Sequence, residues 1–171
     1  NTALLHAAPK SNRAAVVFLL AAGANPNDTN DVGITPLMLA ARYNRGSEVL
    51  ETLLTAGADI CTRDDQKQTA LFHITNGYMD AEKVKTLLAH GAPVNEQDAC
   101  GDTVLLKAAG RLQADETVST LLMAGADPNI TNKDGQTALM AAAEHADATD
   151  VLQTLLMRGA NIDAVDHKGR T

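Results

Sequence analysis

The stretch TLLMAGADPNITNKDGQTAL, from Thr120 to Leu139, decides the fold, because close variants of it recur along the whole chain. It carries almost no reactive chemistry; what matters is its period. Thr recurs at Thr2, Thr35, Thr69, Thr103, Thr137 and Thr171, spaced by 33 residues once and by 34 thereafter. Gly23, Gly57, Gly91, Gly125 and Gly159 keep an interval of 34, and each is followed by Ala. Two markers holding one period of this size across 171 residues are the signature of a stacked repeat protein.

Within each unit the apolar pattern predicts two short helices. Leu37, Ala40 and Ala41 follow Thr35, and Leu105, Ala108 and Ala109 follow Thr103, at the i, i+3, i+4 spacing of one helical stripe. A second stripe reads Val16, Leu19, Leu20, then Leu50, Leu53, Leu54, and continues through Val84, Leu87, Leu88, Val118, Leu121, Leu122, Leu152, Leu155 and Leu156. Ser47, Asp80, Asp115 and Thr149 are the expected caps of these second helices, and the recurring Gly ends them. Between units lie polar turns, NDVGIT at Asn30 to Thr35, DACGDT at Asp98 to Thr103, NKDGQT at Asn132 to Thr137 and DHKGRT at Asp166 to Thr171. The copy DDQKQT at Asp64 to Thr69 has Lys67 where the others have Gly, so that turn is expected to be strained or more open.

Composition narrows the function. The chain is 45% apolar but holds only two Phe, two Tyr and no Trp, so its core is aliphatic. A net charge of −7 argues against nucleic-acid or anionic-membrane surfaces, which need clustered Lys and Arg. The apolar run AAVVFLLAAGA (Ala14 to Ala24) is too short to span a bilayer. Cys61 and Cys100 lie outside any CxxC pattern, which points to neither a disulfide framework nor zinc, and to a reducing, cytoplasmic setting. With NTALLHAA at its start, the chain reads as a segment of something longer.

The unit D-x-x-G-x-T-x-L-x-x-A-A, a V-x-x-L-L helix and G-A-(D/N) resembles the ankyrin repeat, with ITPLMLAA (Ile34 to Ala41) the nearest match. The resemblance covers Thr2 through Thr171 and implies an all-α, ankyrin-type solenoid of stacked helix-turn-helix units with β-hairpin fingers. It delimits one domain, 1–171, with repeats at about 2–34, 35–68, 69–102, 103–136 and 137–170 and the start of a sixth. Two departures stand out. The family's usual His, three residues after the Thr, is replaced by Leu5, Met38, Phe72, Leu106 and Met140, so an apolar row packs there. The period is 34 rather than 33, and the extra residue falls in the loop between the helices, as in RYNRGS (Arg42 to Ser47).

Nothing in the motifs suggests catalysis. His6, His73, His90, His145 and His167 are scattered, with no HExxH pairing, P-loop, GxSxG or dinucleotide fingerprint. No cofactor, metal or catalytic residue is assigned, and the chain reads as a non-enzyme. The resemblance implies a protein-binding scaffold that uses its finger tips and concave helix face, without nucleic acid or membrane, and monomeric. The residues placed there are Asp31, Val32, Ile34, Asp65, Gln66, Gln68 and Asp102 on the fingers, and Arg42, Tyr43, His73, Asn76, Lys107 and Arg111 on the helices. Arg42 with Tyr43 is the expected centre, because Tyr and Arg are enriched in interface hot spots. The alternative is a targeting or spacer segment of a larger enzyme or secreted effector.

Overall fold

In the computed structural model, which describes residues 2–111, 114–145 and 148–171, the repeats become helix pairs. These are α1 (Ala3–Ala7, prolonged by a 3-10 turn at Ala8–Lys10) with α2 (Arg13–Ala21), and α3 (Pro36–Tyr43) with α4 (Glu48–Thr55). Then come α5 (Ala70–Thr75) with α6 (Ala81–Ala89), α7 (Val104–Ala109) with α8 (Asp115–Met123), and α9 (Ala138–Ala143) with α10 (Thr149–Met157). The chain divides into two compact units, Asn1–Pro93 and Val94–Thr171. In the first, α3 packs between the 3-10 turn and α5; in the second, α7 packs on α9 and α8 on α10.

The periodic Thr starts the first helices. Its hydroxyl accepts the N–H three residues on at Thr35 from Met38 (3.2 Å), Thr103 from Leu106 (3.1 Å) and Thr137 from Met140 (3.3 Å), filling one of the donors a helix start leaves open. At Thr35 the pairing is reciprocal, because the Met38 thioether accepts the Thr35 N–H at 3.4 Å. The row that replaces the family's His is packed at Leu5, Met38, Phe72 and Leu106, and half-buried at Met140. Among the expected second-helix caps, the Asp80 carboxylate accepts the Glu82 N–H. Ser47 stands at its cap position but turns its hydroxyl to Glu51, and Asp115 and Thr149 are instead the first residues of their helices. An acid in the first turn interacts with the helix dipole without occupying the cap, so Asp115 serves the helix start one residue later than expected.

Every second helix stops the same way. The recurring Gly takes φ of 87° to 90°, which an L side chain tolerates poorly, and the following Ala N–H returns to the helix: Ala24 to Leu19, Ala58 to Leu53, Ala92 to Leu87, Ala126 to Leu121 and Ala160 to Leu155, all at 3.0 Å. This closure explains why the Gly-Ala pair keeps strict register.

The junctions are built on one side chain. Oδ1 of Asn30, Asp64, Asp98, Asn132 or Asp166 accepts the N–H groups two and four residues on, at 2.8 to 3.1 Å. The expected β-hairpin fingers are therefore side-chain-held turns; among the described residues the only extended pairing is an isolated bridge between Gln97 and Thr103. The turn at Lys67 is strained rather than open. Lys67 holds φ of 59° and its N–H still reaches the Asp64 carbonyl at 2.8 Å. Lys67→Gly is expected to raise stability by up to about 1 kcal/mol in a denaturant melt, because relief of left-handed strain outweighs glycine's added unfolded-state entropy.

A second periodic device is an asparagine bridge. Asn27 Nδ2 donates to the Gly57 carbonyl (3.0 Å) while its Oδ1 accepts the Asp59 N–H (2.7 Å). Asn95 repeats this with Gly125 and Asp127, and Asn129 with Gly159 and Asn161. One register position breaks the series: Cys61 replaces the Asn, and Pro93, which has no N–H, stands where the donor would be.

Leu53, Leu87, Leu121 and Leu155 are fully buried, whereas Leu20 and Leu88 are half-buried. Leu87→Ala is expected to cost about 2 to 5 kcal/mol in urea unfolding, and Leu20→Ala clearly less, because the cost scales with the cavity left behind.

Candidate functional site

The first-unit residues expected on the surface separate into two groups. Asp31, Val32, Tyr43, Asp65, Gln66 and Asn76 are exposed, and Ile34 and Arg42 are half-exposed. Gln68 and His73 are buried, which corrects the expectation that they lie on an open face. Gln68 Oε1 accepts the Asn76 amide at 2.9 Å. His73 Nε2 pairs with Asp64 Oδ2 at 2.8 Å, linking helix α5 to the turn before it. Burial pushes the His73 imidazole below its ordinary pKa; Asp64 opposes that shift, and the nearby Arg42 charge adds to it. Helical spacing alone places His73 on an exposed stripe, but the ring is buried against Asp64.

The second unit uses the same position differently. Lys107 Nζ lies 3.1 Å from Asp98 and 3.5 Å from Asp102. Burial works against its charge, but the two carboxylates outweigh it and raise the Lys107 pKa. Asp102 also accepts the Asn132 amide at 2.8 Å, so both residues stabilise their own junction, while Arg111 is exposed.

What stands out in the first unit is a paired aromatic and guanidinium surface. The Arg42 guanidinium lies 5.1 Å from the centre of the Tyr43 ring, and Arg45 lies 4.9 Å from that of Tyr78. Both of the chain's tyrosines are here, 46% and 53% exposed. The two segments are held together by the Tyr78 N–H on the Arg42 carbonyl at 3.3 Å and by the Gly46 N–H on Asp80 Oδ2 at 3.3 Å. Underneath, fully buried Lys83 donates to the Ala41 and Asn44 carbonyls at 2.7 and 2.9 Å. The sequence reading found Arg42 and Tyr43 but missed Arg45, Tyr78 and Lys83. The available signal was Lys83 itself, at the register position of Val49, Thr117 and Val151.

Among the described residues no three His, Cys, Asp or Glu side chains gather as metal ligands, and no helix is long and apolar enough to cross a membrane. On the last repeat, a hollow of about 310 Å³ lined by Met140, Leu152, Leu156 and Ile162 leaves apolar side chains open.

Paired helices on a constant register, closed by Gly-Ala stops and side-chain-held turns, define an all-α ankyrin-type repeat fold. The sequence model of ankyrin repeats matches three times, over residues 1–64, 37–132 and 71–166, and the chain belongs to the ankyrin repeat family. It is also similar to an ankyrin repeat protein of fowlpox virus (strain NVSL), 46% identical over 54 residues, which are 32% of this chain and 16% of that relative's length. Ankyrin repeats as a class are protein-interaction modules.

Proposed function

We propose that the chain is a non-catalytic, monomeric protein-binding scaffold, its five repeats serving as one domain, with its main contact at Arg42 and Tyr43. The observation that carries this is the exposed pair of rings with guanidiniums over them: neither Tyr lies in the buried aliphatic core, and each has an Arg over its ring. Rigid aromatic and Arg side chains lose little entropy on binding, which is why they dominate interface energetics. Exposed Asp31 and Val32 with half-exposed Ile34 extend the contact along the preceding turn, Asp65, Gln66 and Asn76 along the next, and exposed Arg111 supplies a further polar contact in the second unit.

The test is affinity for a partner identified by pull-down and mass spectrometry. Tyr43→Ala should weaken binding by about 2 kcal/mol or more, and Lys85→Ala, an exposed residue paired with Glu82 at 2.7 Å, should change it little. Equal affinities of the two folded variants would sink the proposal.

A further inference from the structure

Resting on the reading of Arg42 and Tyr43 as a contact site, we infer that the partner presents an acidic, carboxylate-rich peptide segment to this surface. The chain has 21 acidic against 14 basic residues, and three of its arginines gather on this surface. Among the described residues none of the guanidiniums of Arg13, Arg42 and Arg45 has an ion-pair partner. Arg13 donates only to the Thr52 hydroxyl, at 3.2 Å, while Arg42 and Arg45 rest over tyrosine rings. A guanidinium stacked on a ring keeps its in-plane N–H groups free, and that edge has the fork geometry that binds a carboxylate through two parallel bonds.

The three are arranged around one feature. Arg13 and Arg45 line a cleft of about 310 Å³ with Ser11 and Asn44, and Tyr78 under Arg45 connects it to Arg42 through the bond from the Tyr78 N–H. Two of the nearby acids are engaged elsewhere. Asp80 accepts the Gly46 and Glu82 N–H groups and Glu51 accepts the Ser47 hydroxyl, while Glu48 is, among the described residues, the one acid lining the cleft, its carboxylate beside Gly46. An extended acidic segment crossing from Arg13 to Arg42 would meet three guanidiniums.

Fluorescence anisotropy with a fluorescein-labelled peptide of alternating Glu and Ser tests this, against the same peptide with Gln for Glu and against labelled oligothymidylate. The Glu peptide should bind, the Gln peptide should bind at least about tenfold more weakly, and Arg45→Glu should lower affinity for the Glu peptide about tenfold or more, with increasing salt doing the same. Arg45→Gln, a milder change at an exposed position, should give a smaller loss in the same direction if Arg45→Glu disturbs folding. Equal binding of the Glu and Gln peptides, tighter binding of oligothymidylate, or Arg45 variants with unchanged affinity would overturn the inference. If Tyr43→Ala still abolished capture of a protein partner in any of those cases, the contact site would stand and only its acidic specificity would fall.

Discussion

Gly77→Ala is expected to cost about 3 kcal/mol or more and to lower the melting temperature by roughly 10 °C, a larger loss than most single substitutions in the core. The reason is contact rather than backbone conformation. A methyl group at Gly77 would collide with the Arg42 carbonyl oxygen and lie 2.7 Å from the carbonyl carbon, and both are backbone atoms that cannot rotate away. Relief would require separating α3 from the loop after α5, which breaks the Tyr78 N–H bond to Arg42 and tilts Tyr78 off Arg45. Gly110→Ala is the control, since its nearest neighbour would be the Ala141 methyl at 3.6 Å, an ordinary contact. Thermal melts of the two variants that shift alike would show that the close approach at Gly77 is not what holds these segments together.

The second large effect is a pH dependence at Lys83. Burial pushes its ammonium from 10.5 down to about 8, with Asp80 pulling the other way. A neutral amine has two N–H donors, and Lys83 has two acceptors, the Ala41 and Asn44 carbonyls at the end of α3. Between pH 8 and 10.5 the unfolded chain still carries the proton that the folded chain has released. Stability therefore rises as pH climbs through this window, by about 3 kcal/mol at roughly 1.4 kcal/mol per pKa unit. Below pH 8 both states are protonated and the cost of burying the charge is present in full. Lys83→Met removes that cost but leaves two buried carbonyls unpaired, so it should be near neutral at pH 7 and increasingly worse than the native chain toward pH 10. Urea unfolding of both proteins across this range measures the difference directly, which cancels the titration of other groups; a flat difference would refute the assignment.

The effects at Gly77 and Lys83 both concern the end of α3, and neither position was singled out by the repeat pattern. What the sequence determined by itself is most of what each repeat satisfies locally, although Asp115 and Thr149, expected as caps, are the first residues of their helices. A helix start needs a cap, so Asp80 was legible; a helix stop needs a left-handed residue, so Gly57 and Gly125 were; a turn held by its first side chain needs Asn or Asp, so the series from Asn30 to Asp166 was. Even the strain at Lys67 could be read from the one missing Gly. These interactions close within a few residues, so periodicity alone exposes them.

What only the tertiary structure decided are the partners brought together from one repeat to another, where register gives the height of a side chain but not its direction. Helical spacing placed His73 on an open stripe, and a 2.8 Å bond to Asp64 took it inside. The apolar stripe of Val84, Leu87 and Leu88 leaves Lys83 out, although its stem lies fully buried and its nitrogen satisfies carbonyls 39 and 42 residues back. Adjacency in the sequence joined Arg42 to Tyr43, but Arg45 met Tyr78 only because Gly77 lets two loops touch. A buried donor must find an acceptor wherever the fold provides one, and that choice depends on distances across the stack that a repeating sequence does not encode.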